Sequence, residues 1–166
     1  HPLNEKWDVI VSVILCALFV GVYFISVRIA REIAFHLPWD IGVVAGVAIN
    51  NVAKDVPIGY YFYLAIYKNN IPISYILGKL YQWAKESATY PFNPQFIWVQ
   101  VNCILMALGG LFSCLAVKRL TKNPVVTILT FLINVLLIGL SAWKIAPYTD
   151  TYGLLFPILC IYVYML

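Results

Sequence analysis

Charge is what this chain has least of: eleven lysines and arginines and seven aspartates and glutamates make up 11% of its 166 residues. A soluble domain carries roughly 25%. So few ionisable groups, set among 63% hydrophobic residues at a mean hydropathy of +0.86, cannot wet the surface of a soluble fold. The net charge is +4, but the cations stand singly or beside apolar runs, which excludes the aromatic-interleaved basic face of a nucleic-acid binder. Histidine is nearly missing, with His1 at one end and His36 alone ahead of a proline. Cys16, Cys103, Cys114 and Cys160 lie in apolar runs without C-x-x-C spacing or a nearby histidine, so they read as small buried hydrophobes and not as a zinc set. No repeat of the solenoid or symmetric-transporter kind is visible.

What is abundant is uninterrupted apolar sequence. Residues 9–27 hold no charge and as a helix reach about 28 Å, enough for a hydrocarbon core of about 30 Å. The run exceeds a signal-peptide core of about 7–15 residues and is followed by Arg28 and Arg31 in place of a cleavage site, so it reads as an anchored span. Residues 96–117 and 124–143 repeat the pattern on either side of the polar link Lys118 to Asn123, KRLTKN, and predict a helical hairpin. Runs this long without alternation exclude barrel strands, so the expected fold is all-α, a polytopic helical membrane protein. A last run, 152–166, is too short to span comfortably and reads as a helix cut short. The chain, 1–166, is accordingly expected to be a single transmembrane domain in fragment, multi-pass in the plasma membrane.

The segment 41–88 is expected to hold short or interfacial helices. Ile41 to Ala53 is too short to cross and suits the bilayer surface. Tyr60, Tyr61, Tyr63 and Tyr67 suit the aromatic belt, and Ile71 to Trp83 is a helix whose Lys79 snorkels. The three cations of KRLTK place that link in the cytoplasm by the positive-inside rule, and Asp150 outside. An inside N-terminus puts Asp40 outside as well, and the chain between Asp40 and Asn93 then crosses twice or not at all.

Asp40, in LPWDIGVV, and Asp150, in PYTDTYG, are carboxylates at the mouths of helices. Ionisable groups near a membrane are often functional. Each also suits a plainer role, Asp40 capping a helix from Ile41 and Asp150 one from near Tyr152.

The order of segments adds a resemblance. A spanning helix leads to WDIGVVAGVAINNVA, then YYFYLAIYKNNIPISYILGKLYQ, then a helix ending LAVKRLTKN, then one leading into APYTDTYGLLFPIL. This resembles the N-terminal part of bacterial multi-pass membrane glycosyltransferases of the GT-C type, particularly the dolichyl-phosphate-mannose-mannosyltransferase-like kind of Gram-positive bacteria. The positions matching that group's motifs are Asp40, Tyr67 to Asn70, and Tyr148 to Thr151, with Lys68 standing where the group has proline. The resemblance implies transfer of a sugar from a polyprenyl-phosphate carrier to an acceptor on the outer face. It makes Asp40 the base that takes the acceptor proton, with Asp150 orienting the acceptor, binding a divalent cation or holding the loop of Asp40. Arg28, Arg31, Lys68 and Lys144 are the candidate partners of the lipid phosphate, and Asn69 and Asn70 of sugar hydroxyls. Two separated aspartates make no metal motif, so a divalent cation stays open. Two other readings remain: a transporter or flippase fragment, and a non-catalytic assembly protein. Donor sugar and acceptor are not readable, and the 166-residue chain by itself is expected to be inactive.

Overall fold

No proline interrupts the chain between residues 3 and 37, and in a computed structural model of the protein most of that stretch is one helix, α1 (Glu5–Ile33). The structure describes residues 5–33, 39–87, 93–139, 141, 153 and 155–165. At 1.5 Å per residue the 29 residues of α1 extend about 43 Å. Arg31 falls in its last turn, where the helix dipole favours a cation.

The second long helix, α5 (Pro94–Thr121), has a well-specified start. The Asn93 side chain accepts a hydrogen bond from the Phe96 N–H at 3.2 Å, and Pro94 occupies the first turn, where its missing N–H matters least. It packs antiparallel on α1. Lys118 meets Asp8 and Ser12, Phe19 lies against Gly110, the Tyr23 hydroxyl donates to Gln100 Oε1 at 3.3 Å, and Arg31 covers the Phe96 ring. The face of α5 turned to α1 is a stripe of small residues, Cys103, Ala107, Gly110 and Cys114, at helical spacing. Small residues let helices approach closely without a hydrophobic driving force. A Cβ on Gly110 would lie 2.6 Å from Phe19 Cε1, so the ring occupies the space that the glycine leaves.

The expected six-residue link between two spans is much shorter. Lys118 to Thr121 belong to α5, and the turn is Lys122 and Asn123 alone. Lys122 takes the left-handed conformation (φ 50°) that ends the helix, its N–H bonding the Lys118 carbonyl. Asn123 then caps α6 (Pro124–Asn134) by accepting from the N–H groups of Val125 and Val126. The expected continuous helix over 124–143 changes pitch: α-helix as far as Asn134, then a π-helical turn, Val135–Gly139. Asn134 sits at the change and donates its side-chain N–H to the Thr130 carbonyl at 2.8 Å. A last helix, α7 (Leu155–Tyr164), packs on α5, with the Phe112 and Tyr162 rings 5.4 Å apart.

Between the long helices lie α2 (Trp39–Ala53), α3 (Ile58–Ile66), a 3-10 turn (Lys68–Asn70) and α4 (Ile71–Ser87). Lys54, at φ 58°, closes α2: its N–H bonds the Asn51 carbonyl and that of Asp55 bonds Asn50, the paired arrangement of a Schellman end. α2 packs on α4 at Ala48 and Gly78, close enough that a Cβ on Gly78 would lie 3.6 Å from the Ala48 carbonyl oxygen. Val44, Ala45 and Ala48 of α2 share a buried core with Ala30 of α1, Ile73, Leu77 and Tyr81 of α4, and Trp98, Val99 and Cys103 of α5. One face of α2 is therefore inside the protein, and α2 and α4 pack at the end of the α1/α5 pair that carries Arg31 and Phe96.

Every element among the described residues is helical, as expected of an all-α chain. Among the described residues two helices are long and apolar enough to cross a bilayer, α1 over Trp7–Ile33 and α5 over Pro94–Thr121. The described parts of the other expected spans form shorter apolar helices, Pro124–Leu137 and Leu155–Tyr164.

Candidate functional site

The antiparallel register of α1 and α5 gives the bundle two chemically different ends. At the first, Arg28 and Arg31 stand on the last two turns of α1. Arg28 pairs with Glu32 at 3.2 Å, an exposed i,i+4 bridge of the kind that contributes little to stability. Arg31 places its guanidinium carbon 4.1 Å above the centre of the Phe96 ring, a cation held at the surface by an aromatic face. Among the described residues it has no carboxylate partner.

Asp40 is the second residue of α2, which opens at Trp39, so the backbone puts it in the first turn and not at the cap expected before Ile41. A carboxylate is favoured in either place by the helix dipole. Its side chain, and Asp150, Lys144 and Tyr148 to Thr151 in their entirety, lie outside the described residues.

The segment Tyr67 to Asn70 forms the joint between α3 and α4. Lys68 and Asn69 are exposed there, while Asn70 is 3% exposed and donates to the Tyr63 hydroxyl at 2.8 Å. The Tyr63 and Tyr67 rings pack 4.8 Å apart, tilted by 37°. Asn70 thus holds the turn together, and of the two asparagines only Asn69 presents its side chain outward. No ion pair or hydrogen bond joins Arg28 or Arg31 to Lys68 or Asn69 among the described residues.

The other end of the bundle holds an arrangement that the charge pattern hides. Lys118, with 7% of its side chain exposed, turns back onto the first turns of α1. Its ammonium donates to Ser12 Oγ at 2.6 Å and to the Asp8 carbonyl at 2.9 Å, and pairs with Asp8 Oδ1 at 2.9 Å. All three of its donors are used. The available signal was periodicity: Lys118 follows Cys114 by four residues on the buried stripe, and Asp8 and Ser12 are themselves four apart.

No group of three histidine, cysteine, aspartate or glutamate side chains converges among the described residues, so none of them forms a ready-made metal cage. Compared with protein-family models, curated proteins and solved structures, the chain finds no match in any of the three.

Proposed function

We propose that the chain is the membrane-embedded N-terminal portion of a glycosyltransferase that uses a polyprenyl-phosphate sugar and works at the outer face of the bilayer. The observation that carries this reading is the placement of cation and carboxylate. α1 ends in Arg28 and Arg31, and the next helix along, beginning only six residues after Ile33, has Asp40 as its second residue. Both helices contribute to the core under α2 and α4.

The chemistry gives each group a task. An acceptor hydroxyl attacks the anomeric carbon only as it loses its proton, and Asp40 takes that proton. The lipid phosphate departs with growing negative charge, and a cation at a partly dry interface stabilises that charge more than water does. Arg31, tethered over Phe96, fills this role best among the described cations, with Arg28 and Lys68 as weaker candidates. Apolar α1 supplies the wall along which a polyprenyl chain lies: Phe24 and Ile25, a turn below Arg28, are both more than half exposed.

The test is sugar transfer in membranes carrying the complete polypeptide. Asp40→Asn should lower transfer about 10²- to 10⁴-fold, the usual worth of a positioned base, at unchanged membrane abundance. Undiminished transfer by Asp40→Asn would remove the aspartate from the mechanism and the proposal with it.

A further inference from the structure

Polarity is inverted on α3. Its tyrosines at helical spacing turn inward: a Cβ on Gly46 of α2 would lie 2.8 Å from the Tyr60 hydroxyl, and the Tyr63 hydroxyl accepts from Asn70. The outward face carries Ile58, Phe62 and Ile66, one above another at i, i+4 and i+8, and they are 75%, 67% and 74% exposed. Apart from Tyr61 at its edge, no side chain on that face can form a hydrogen bond. No residue of α3 is buried, whereas α2, the helix expected at the bilayer surface, sends Val44, Ala45 and Ala48 into the core. A helix lying against a core in water shows the opposite pattern, apolar side in and polar side out.

Length and charge specify what covers this face. The nine residues of α3 reach about 13 Å, far less than a hydrocarbon core of about 30 Å, so the helix does not cross. A protein partner brings hydrogen bonds with its apolar contacts, about one for each 100–200 Å². This face has almost none to give, and fluid hydrocarbon asks for none. Cations border it. Lys68 follows Ile66 by two residues, is exposed, and forms no ion pair among the described residues. On α4 the pattern continues through exposed Ile71 and Tyr75, one turn apart, to Lys79, whose ammonium folds back over the Tyr75 ring at 5.6 Å. The acids whose side chains are described between α2 and the end of α4, Asp55 and Glu86, each adjoin a lysine, Lys54 and Lys85, which leaves Lys68 and Lys79 in excess. An apolar face with a basic margin matches the surface of a leaflet that holds anionic phospholipid.

We infer that α3 lies in the plane of the leaflet at this end of the bundle, with Ile58, Phe62 and Ile66 in the edge of the hydrocarbon and Lys68 and Lys79 on the phosphates of anionic phospholipids. Tyr60, seated on Gly46, then sets the height of α2 at that leaflet, and with it the first turn that carries Asp40. The inference rests on the reading of the chain as membrane-embedded, but not on sugar transfer.

The experiment uses the full chain in phosphatidylcholine vesicles, its native cysteines replaced by alanine and a fluorophore attached to a single cysteine at Phe62, at Phe24 of α1 or at Glu86. Two quenchers are compared: aqueous iodide, and a nitroxide near the top of an acyl chain, supplied either as phosphatidylglycerol or as phosphatidylcholine. The Phe62 probe should be quenched by the lipid nitroxide as strongly as the Phe24 probe and should lose the iodide quenching that the Glu86 probe shows. Phosphatidylglycerol should be enriched beside the Phe62 probe by about fivefold, the worth of one lysine at an anionic surface. The variant Lys68→Gln/Lys79→Gln should abolish that enrichment while leaving the probe shielded from iodide. Iodide quenching at Phe62 equal to that at Glu86 would put the face in water and overturn the inference. Shielding of Phe62 from both quenchers would show that protein covers it, a second copy or another part of the polypeptide, and would overturn the inference equally. Equal quenching by the two lipids would overturn the assignment of anionic phospholipid. A Phe24 probe beyond reach of the lipid nitroxide would overturn membrane insertion itself, and the inference with it.

Discussion

The contact between Lys118 and Asp8 lends itself to a quantitative test, because its two partners are buried to different degrees. Lys118 is 7% exposed and Asp8 54%. At an effective dielectric of about 20, opposite charges at this separation attract by roughly 6 kcal/mol. Desolvating the ammonium costs several kcal/mol in return. Replacing Asp8 by alanine leaves that cost in place and removes the attraction. Cutting one partner from a buried pair costs roughly 3–5 kcal/mol. Here Asp8 is half in solvent and the ammonium keeps Ser12 Oγ and a backbone carbonyl as acceptors, so the expected loss is about 2 kcal/mol.

Lys118→Met should behave differently. It keeps an unbranched stem of similar length, deletes the buried charge, and frees Asp8 to hydrate in the first turns of α1, where a carboxylate is favoured by the dipole. The expected cost is under about 1 kcal/mol. In the double variant the orphaned ammonium no longer exists, so the two losses should not add, and the coupling should be about 1–2 kcal/mol. The measurement is unfolding of the purified chain in mixed micelles with rising sodium dodecyl sulfate, followed by far-UV circular dichroism. Strict additivity, with Asp8→Ala costing no more than Lys118→Met, would refute the account of Lys118 as a buried charge stabilised by Asp8.

Two neighbouring glycines provide a matched pair in the same unfolding experiment. Gly110→Ala should destabilise by about 1–3 kcal/mol, because Phe19 is 3% exposed and edge-packed on Phe131 at 5.3 Å and cannot yield to a Cβ placed 2.6 Å away. Gly109→Ala, with nothing within 4 Å of its Cβ, should be neutral or stabilise by up to about 1 kcal/mol; equal losses for both would mean that α1 does not lie against this face of α5. Sidedness is the remaining test. With native cysteines removed, single cysteines at exposed Glu86 and Thr121 should label with a membrane-impermeant thiol reagent from outside and only after permeabilisation, respectively; labelling of both from one side would contradict an α5 that crosses between them.

The helical class was legible because it depends on a signal that no tertiary contact overrides: runs such as 9–27 and 96–117 are apolar on all sides and hold no charge. The true ends were not, since hydropathy stops at the first charged residue while the backbone continues to bond through it. Thus α1 takes in Asp8 at one end and Arg28 and Arg31 at the other, and α5 absorbs Lys118 and Arg119. The π-turn after Asn134 was equally hidden, because VLLIG reads as ordinary apolar helix. At the candidate site, Asn69 and Asn70 are indistinguishable as letters. Only packing shows one exposed and the other tied to Tyr63, seven residues earlier and brought close by the turn of α3 into α4.

The same packing changes how charge orients the molecule. Read as a free link, KRLTK offers three cations to the cytoplasmic side. In the folded chain Lys118 is neutralised by Asp8, while at the opposite end Arg28 is offset by Glu32. Each flank of the α1/α5 pair therefore presents one uncompensated cation fewer than its sequence suggests. Charge in the longer α2 to α4 segment counts for less, because orientation responds chiefly to short loops close to the spans. The cytoplasmic leaflet attracts basic residues through its anionic lipids, with about 1 kcal/mol for each lysine or arginine near the surface. With the α5/α6 turn in the cytoplasm, as we propose, that attraction is smaller by the one lysine that Asp8 neutralises.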